Sequence, residues 1–148
     1  MEFREITSSD VQSLFYVRTN TRENVYSLEE LTARDITEKS VIEKLSNSFK
    51  GWLCKIDQST VGFCIADSST GELWVIAVLP DFEGRGIGNH LMALAEDWLW
   101  ACGCDRAWLT TSVNTALRAY GFYLNRGWLD WKVEDDLRYM QLFRPHAV

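Results

Sequence analysis

Three glycines at alternate positions, Gly84, Gly86 and Gly88, sit between an apolar run and a helical repeat in "VLPDFEGRGIGNHLMALAEDW". Glycine at every second residue weakens both helix and strand, so the segment reads as a turn that joins one to the other. With no Cβ atoms in the way, backbone N–H groups can approach an anion, and the start of the following helix favours negative charge. The turn therefore reads as a phosphate-holding site, with an ordinary glycine-rich connection as the plain alternative. A nucleoside-triphosphate loop needs Lys after its last glycine, and none follows here. A dinucleotide turn needs Gly where Asn89 stands and an acidic residue at the far end of the next strand. Asp105 instead precedes that strand, "RAWLTT".

The surrounding pattern supplies the elements. "EFREIT" alternates as a first strand, and "SSD" caps a helix with Val11, Leu14, Phe15 and Val17 at helical spacing. From Ser27 to about Ser46, Leu28, Leu31, Ile36, Val41, Ile42 and Leu45 recur as two short helices broken near "TARDIT", with "SLEE" as a capping box. "GWLCKI", "STVGFCIAD" and "GELWVIAVLP" form an antiparallel meander. Leu91, Leu94, Ala95, Trp98, Leu99 and Cys102 make one helical stripe ended by "CGC". A strand "RAWLTT", a helix from about Thr115 to Asn125, and strands "WLDWKV" and "RYMQLF" follow. The order β α α β β β α β α β β is a mixed α/β layout. With 148 residues, no repeat and no Pro/Gly/Ser-rich linker, it predicts one domain over residues 1–148.

Several function classes are disfavoured. A net charge of -6 argues against a broad nucleic-acid surface. Charges in "MEFREITSSD" and the lack of a long apolar run predict neither secretion nor membrane insertion, hence a cytoplasmic protein. Cys54, Cys64, Cys102 and Cys104 contain no C-x-x-C, and with only His90 and His146 beside them no metal site is expected.

"VLPDFEGRGIGNHLM" resembles the acetyl-coenzyme A signature of the GNAT superfamily of N-acetyltransferases, [QR]-x-x-G-x-[GA] after a strand ending in an apolar-Val-x-Pro segment. "EGRGIG" departs from it only in having Glu83 where Gln or Arg is usual. "RAYGFYLNRGW", beginning 35 positions after Glu83, resembles the second signature, R-A-x-x-[LF]-Y-x-x-x-G-[FW]. The resemblance covers essentially the full chain. It implies a GNAT-like α/β (α+β mixed) domain with a central, mostly antiparallel mixed sheet flanked by helices. It also implies transfer of an acetyl group from acetyl-CoA to a primary amine of a small molecule or peptide. A silent acyl-CoA sensor or interaction module on the same fold is the alternative, and a homodimer stays open.

By the same resemblance, Glu83, Gly84, Arg85, Gly86, Ile87, Gly88 and Asn89 hold the diphosphate through backbone donors. Because a carboxylate facing a diphosphate would repel it, Glu83 is expected to point away. Ile76, Ala77 and Val78 lie on a strand that splays from its neighbour and pair with the pantetheine arm, with an N–H near Val78 at the acyl oxygen. Tyr123 takes the position of the general acid at the sulfur. Glu72 lies where some members carry a glutamate base, on a face expected to hold residues 72, 74, 76 and 78 together. His90, inside the helix start, is the weaker base candidate. A frequent family Asn falls on Ala116, with Asn114 two residues early. Arg22, Glu23 and Tyr26 of "RENVYS", with Trp74 and Trp131, are the candidate acceptor contacts.

Overall fold

A computed structural model describes residues 1–23 and 25–146. Among them, seven strands form one sheet: β1 (Glu2–Glu5), β2 (Phe49–Ile56), β3 (Ser59–Asp67), β4 (Glu72–Val78), β5 (Arg106–Ser112), β6 (Leu129–Glu134) and β7 (Leu137–Phe143). Their order is β1-β2-β3-β4-β5-β7-β6, and every neighbouring pair is antiparallel except β4 and β5. Helices α1 (Val11–Arg18), α2 (Leu28–Ala33) and α3 (Glu38–Leu45) lie between β1 and β2 in sequence. The longer α4 (Ile87–Ala101) links β4 to β5, and α5 (Arg118–Asn125) links β5 to β6.

Helix boundaries follow local chemistry. Ser27 Oγ accepts from Glu30 N while Glu30 Oε1 accepts from Ser27 N, so the expected capping box starts α2. Asp35, at φ 59, breaks the chain before Thr37 and Ser40 cap α3 in the same reciprocal way. Gly103, at φ 92, ends α4 as expected of "CGC". The fifth helix starts at Arg118, three residues later than its sequence pattern predicts. Asn114 Oδ1 accepts from Ala116 N and Ser112 Oγ accepts from Asn114 N, so side chains hold these residues in a turn instead.

The sheet separates two apolar layers. On one face α4 and α5 cover Trp52, Cys64, Leu73, Leu109 and Met140; on the other, α1 and α3 cover Leu53, Phe63, Ile65 and Ala77. Both faces of β3 are covered, and eight of its nine residues are buried.

Two irregularities of β4 shape everything that follows. Val75 pairs with Ile65 but Leu73 pairs with Ala66, leaving Trp74 as an extra residue in a bulge. The bulge overturns the expected face. Leu73, Ile76 and Val78 pack with the α4 layer, whereas Trp74, Val75 and Ala77 pack with the α1 layer, so Glu72 and Trp74 are on the face opposite Ile76 and Val78. Secondly, β4 and β5 pair only at Glu72 and Trp108, reinforced by Trp108 N donating to Gly71 O at 3.0 Å. Past that point the two strands diverge.

Candidate functional site

The divergence opens a cleft of about 720 Å³ lined by β4, β5, the glycine turn, α5 and the segment joining α1 to α2. Leu79 N donates to Val61 O, so antiparallel alternation turns the N–H and C=O of Ile76 and Val78 toward the gap. A strand edge with unpaired groups is thus presented inside the molecule.

At one end stands the glycine turn. Gly84 (φ 76) and Gly86 (φ 82) are left-handed and open on the side where a Cβ would project, so backbone conformation is what calls for glycine there. Gly88 answers to packing instead, since a Cβ would lie 3.3 Å from the Phe122 ring on α5. Gly86 precedes the first turn of α4 with no side-chain cap, which leaves the N–H groups of Ile87, Gly88 and Asn89 directed out of the helix end. Gly84, Gly86, Gly88 and Asn89 line the cleft. The side chains of Arg85 and Ile87 do not: Arg85 stacks on Phe82 at 5.0 Å, and Ile87 is buried in the core.

Glu83 does not point away. It lines the cleft mouth, where Arg22 Nε donates to its carboxylate at 3.2 Å and Arg118 Nη1 forms a second ion pair with it. Its charge is thereby opposed by two guanidiniums, which removes the repulsion expected of a bare carboxylate. Glu23 accepts from the backbone N–H of Arg118, the first residue of α5, at 3.2 and 3.3 Å. Arg22 and Glu23 therefore strap the α1–α2 segment across to the glycine turn and α5. Asn24, within the same "RENVYS" stretch, lies outside the described residues.

Farther in, Tyr123 of α5 lines the cleft and is buried, packed on Phe122 and Trp128. Burial pushes its hydroxyl pKa up to about 12, against a smaller opposing pull from Arg18. Glu72 and Trp74 line the wall beneath α1 and α3. Burial raises the Glu72 carboxyl above its ordinary range, Asp67 adds to the rise, and Lys44 opposes it. Tyr26 also lines the cleft, with the guanidiniums of Arg18 and Arg34 at 4.4 and 4.6 Å from its ring centre.

The remaining candidates lie elsewhere. Trp131 is outside the cleft, on the sheet face away from α4 and α5, edge-on to Tyr139 and beneath Arg106 at 4.3 Å. It cannot wall the acceptor space. His90 stacks on Phe3 with ring centres 3.8 Å apart, and neither Asn114 nor Ala116 lines the cleft. Sequence reading missed Arg18, Arg34, Arg118, the β6–β7 turn residue Asp136 and Leu137 at the start of β7, all of which line it. Arg118 opens the second signature and was in plain view; Arg18 and Arg34 are ordinary helix-end arginines by pattern. Among the described residues no group of three or more His, Cys, Asp or Glu could hold a metal, and no helix is long and apolar enough to cross a membrane.

The family model described as the Acetyltransferase (GNAT) family matches residues 12–128. Mycothiol acetyltransferase from Beutenbergia cavernae is 40% identical over 63 residues, 43% of this chain. The chain spans only 21% of that relative's length. Among solved structures, the PaiA N-acetyltransferase of Thermoplasma acidophilum in complex with coenzyme A superposes with a TM-score of 0.83. It is 16% identical, over 97% of this chain and 100% of that one. The ribosomal-protein-S18-alanine N-acetyltransferase of Escherichia coli gives 0.76 at 18% identity, over 99% and 96%. At such identities the structures show a shared fold.

Proposed function

Since the chain belongs to the GNAT acetyltransferase family, we propose that residues 1–148 act as one domain that moves an acetyl group from acetyl-CoA directly to a primary amine of a small molecule or peptide. The observation that carries this reading is the gap between β4 and β5. It has bare N–H groups of a helix start at one end, unpaired strand groups along one wall and a buried tyrosine hydroxyl on the other. A diphosphate fits the first, an extended amide-bearing arm the second and a sulfur leaving group the third. The coenzyme A held by the Thermoplasma acidophilum relative supports the same occupant here.

Bound in this way, acetyl-CoA supplies a thioester activated toward amines. The chain's own residues do the rest. An alkylamine has a pKa of about 10, so it must lose a proton before it can attack. Glu72, desolvated by burial, is in its ionised form a stronger base than a surface carboxylate and accepts that proton. The C–N bond forms as the C–S bond breaks, the nitrogen's remaining surplus proton passing to the departing sulfur, and the Val78 N–H faces the gap where it can donate to the acyl oxygen. Tyr123, held near 12, is a weaker acid than a thiol at about 8.5. It therefore steadies the departing sulfur as a hydrogen-bond donor and keeps its own proton.

The test is calorimetry with acetyl-CoA followed by a thiol-release screen over polyamines, amino acids, aminoglycosides, peptide N-termini and lysyl peptides. Binding with turnover on at least one amine is expected. Heat without turnover on any acceptor marks an acyl-CoA-binding module instead, and no heat with any coenzyme A species overturns both.

A further inference from the structure

The cleft is built from both sides of the sheet, and the two sides differ in chemistry. Groups that suit coenzyme A belong to the α4 side: the glycine turn runs into α4, and Tyr123 of α5 packs in the same apolar layer as Ile76 and Val78. The Trp74 bulge puts Glu72 and Trp74 on the opposite side, which α1 and α3 cover. Among the described residues, what α1, α2, α3 and β3 give the cleft is apolar apart from Arg18: Leu14, Phe15, Leu31, Val41, Phe63 and Ile65. Ile36, between α2 and α3, and Trp74 extend that lining. Leu14, Leu31, Val41, Phe63 and Ile65 are each at most 4% exposed, whereas Phe15, Ile36 and Trp74 are partly buried and form the more open part. Aliphatic and phenyl side chains give an entering group contact area and no hydrogen bond, so an apolar group gains there while a charge loses its hydration without replacement. Of the charged residues on this side, Arg18 and Arg34 lie at 4.4 and 4.6 Å from the Tyr26 ring centre, and Glu72 stands on the β4 wall. Coenzyme A held from the α4 side leaves its thioester in the gap, with this apolar arm of the cleft beyond it. The amine then reaches the thioester from the side where Glu72 stands, and the arm receives whatever the amine carries.

We propose that the acceptor is a primary amine carrying an apolar group within a few bonds of its nitrogen, and that this group seats beneath α1, α2 and α3 while Glu72 faces the nitrogen. The assignment rests on the acetyl-transfer reading above and narrows it. An alkylamine, an arylalkylamine or a peptide N-terminus that begins with a large apolar residue fits the arm well. A polyamine fits it poorly, since its second ammonium would be desolvated among side chains that cannot replace its water.

The experiment follows thiol release over matched acceptors. The n-alkylamines from ethylamine to hexylamine vary apolar length alone, leucinamide against glycinamide does so on an amino-acid frame, and hexylamine against hexamethylenediamine adds a second charge at constant length. Along the alkylamines kcat/KM should rise about fourfold per methylene while the group fills the arm, and leucinamide should exceed glycinamide by about tenfold or more. The diamine should fall well below hexylamine. Whether the alkylamines or the amino-acid amides gain more identifies the source, a free amine or a peptide terminus. Ile36→Ser, in the more open part of the arm, should flatten both series, with Ile36→Val keeping most of the slope. A side chain that only supports the fold would lower every acceptor together and leave the slopes unmoved, and the parent's own series decides the matter even where a variant folds poorly. With one fixed amine, butyryl-CoA and hexanoyl-CoA should be no better donors than acetyl-CoA. A flat or falling amine series overturns the proposal, and so does preference for a longer acyl donor, which would give the arm to the donor. Acetyl-CoA binding without turnover of any amine, or no binding at all, instead overturns the acetyl-transfer reading and the proposal with it.

Discussion

Burial acts on Tyr123 and Glu72 in the same direction and gives them opposite uses. A phenol pushed up to about 12 stays protonated throughout any working range. A carboxyl raised above its ordinary range becomes a better base but is ionised only at higher pH. The rate should therefore fall on the acid side as Glu72 takes up a proton, while Tyr123 contributes no alkaline limb below its value. In pH–rate profiles, Glu72→Gln should lose the acid limb, and Tyr123→Phe, which removes one hydrogen-bond donor to the sulfur, should keep it while kcat drops by about 10²-fold with acetyl-CoA affinity unchanged. The stability sign separates lost chemistry from lost structure. Because the folded pKa of Glu72 lies above its unfolded value, the native state bears the cost of the buried charge once pH exceeds the folded pKa, and gains stability as pH falls. Glu72→Gln should therefore melt no lower than the parent at pH 8; an acid limb retained in this variant removes Glu72 as the base. Glu83 shows how far one residue could be read from sequence. Its departure from the usual signature residue was visible, but its partners were not, because Arg22 lies 61 positions before it and Arg118 35 after.

Elements were legible wherever a local signal fixes them. Ser27 and Glu30, the left-handed Asp35 and Gly103 act within a few residues, and the expected helices begin and end there. Illegible features depend on distant strands. The Trp74 bulge arises because β3 and β4 differ in residue count between two pairings, and nothing in "ELWVIAV" marks it. Its effect is to turn Glu72 away from Ile76 and Val78. The joint between α4 and α5 was equally hidden. Glu96 accepts from Arg126 Nη2 at 2.6 Å, from Arg126 Nε at 3.2 Å and from Trp128 Nε1 at 3.0 Å, while Arg126 also reaches Asn89 at the glycine turn. This network fixes the helix that bears Tyr123 against the helix that begins at the turn. Removing one member strands the other's charge in a largely enclosed site. Glu96→Gln should cost about 3 kcal/mol in urea unfolding, and adding Arg126→Met should return part of that loss. Additive losses in the double variant would show that the pair is not coupled.

At the scale of the molecule, the protein is two sheet sections hinged at Glu72 and Trp108, with a wedge-shaped gap between them. The strap of Arg22 and Glu23 joins the α1 side to the glycine turn and α5 across that gap. A ligand filling the wedge touches both sections and the strap at once, so its binding should stabilise the whole fold. At 100 times its Kd, acetyl-CoA should add about 2.7 kcal/mol. For a chain of this length that corresponds to a Tm rise of about 5–10 °C. The diphosphate should account for most of it, because the glycine turn and the start of α4 present bare donors while β4 presents only two residues' worth of unpaired groups. S-acetyl-pantetheine, which keeps the thioester and lacks the diphosphate, should give little shift at the same concentration. Hydrogen exchange should slow at Ile76, Val78 and residues 84–89 with acetyl-CoA, and only at the two strand positions with the truncated compound. Equal shifts from the two compounds would mean that the turn holds no phosphate, and its left-handed glycines would then serve only to start the helix.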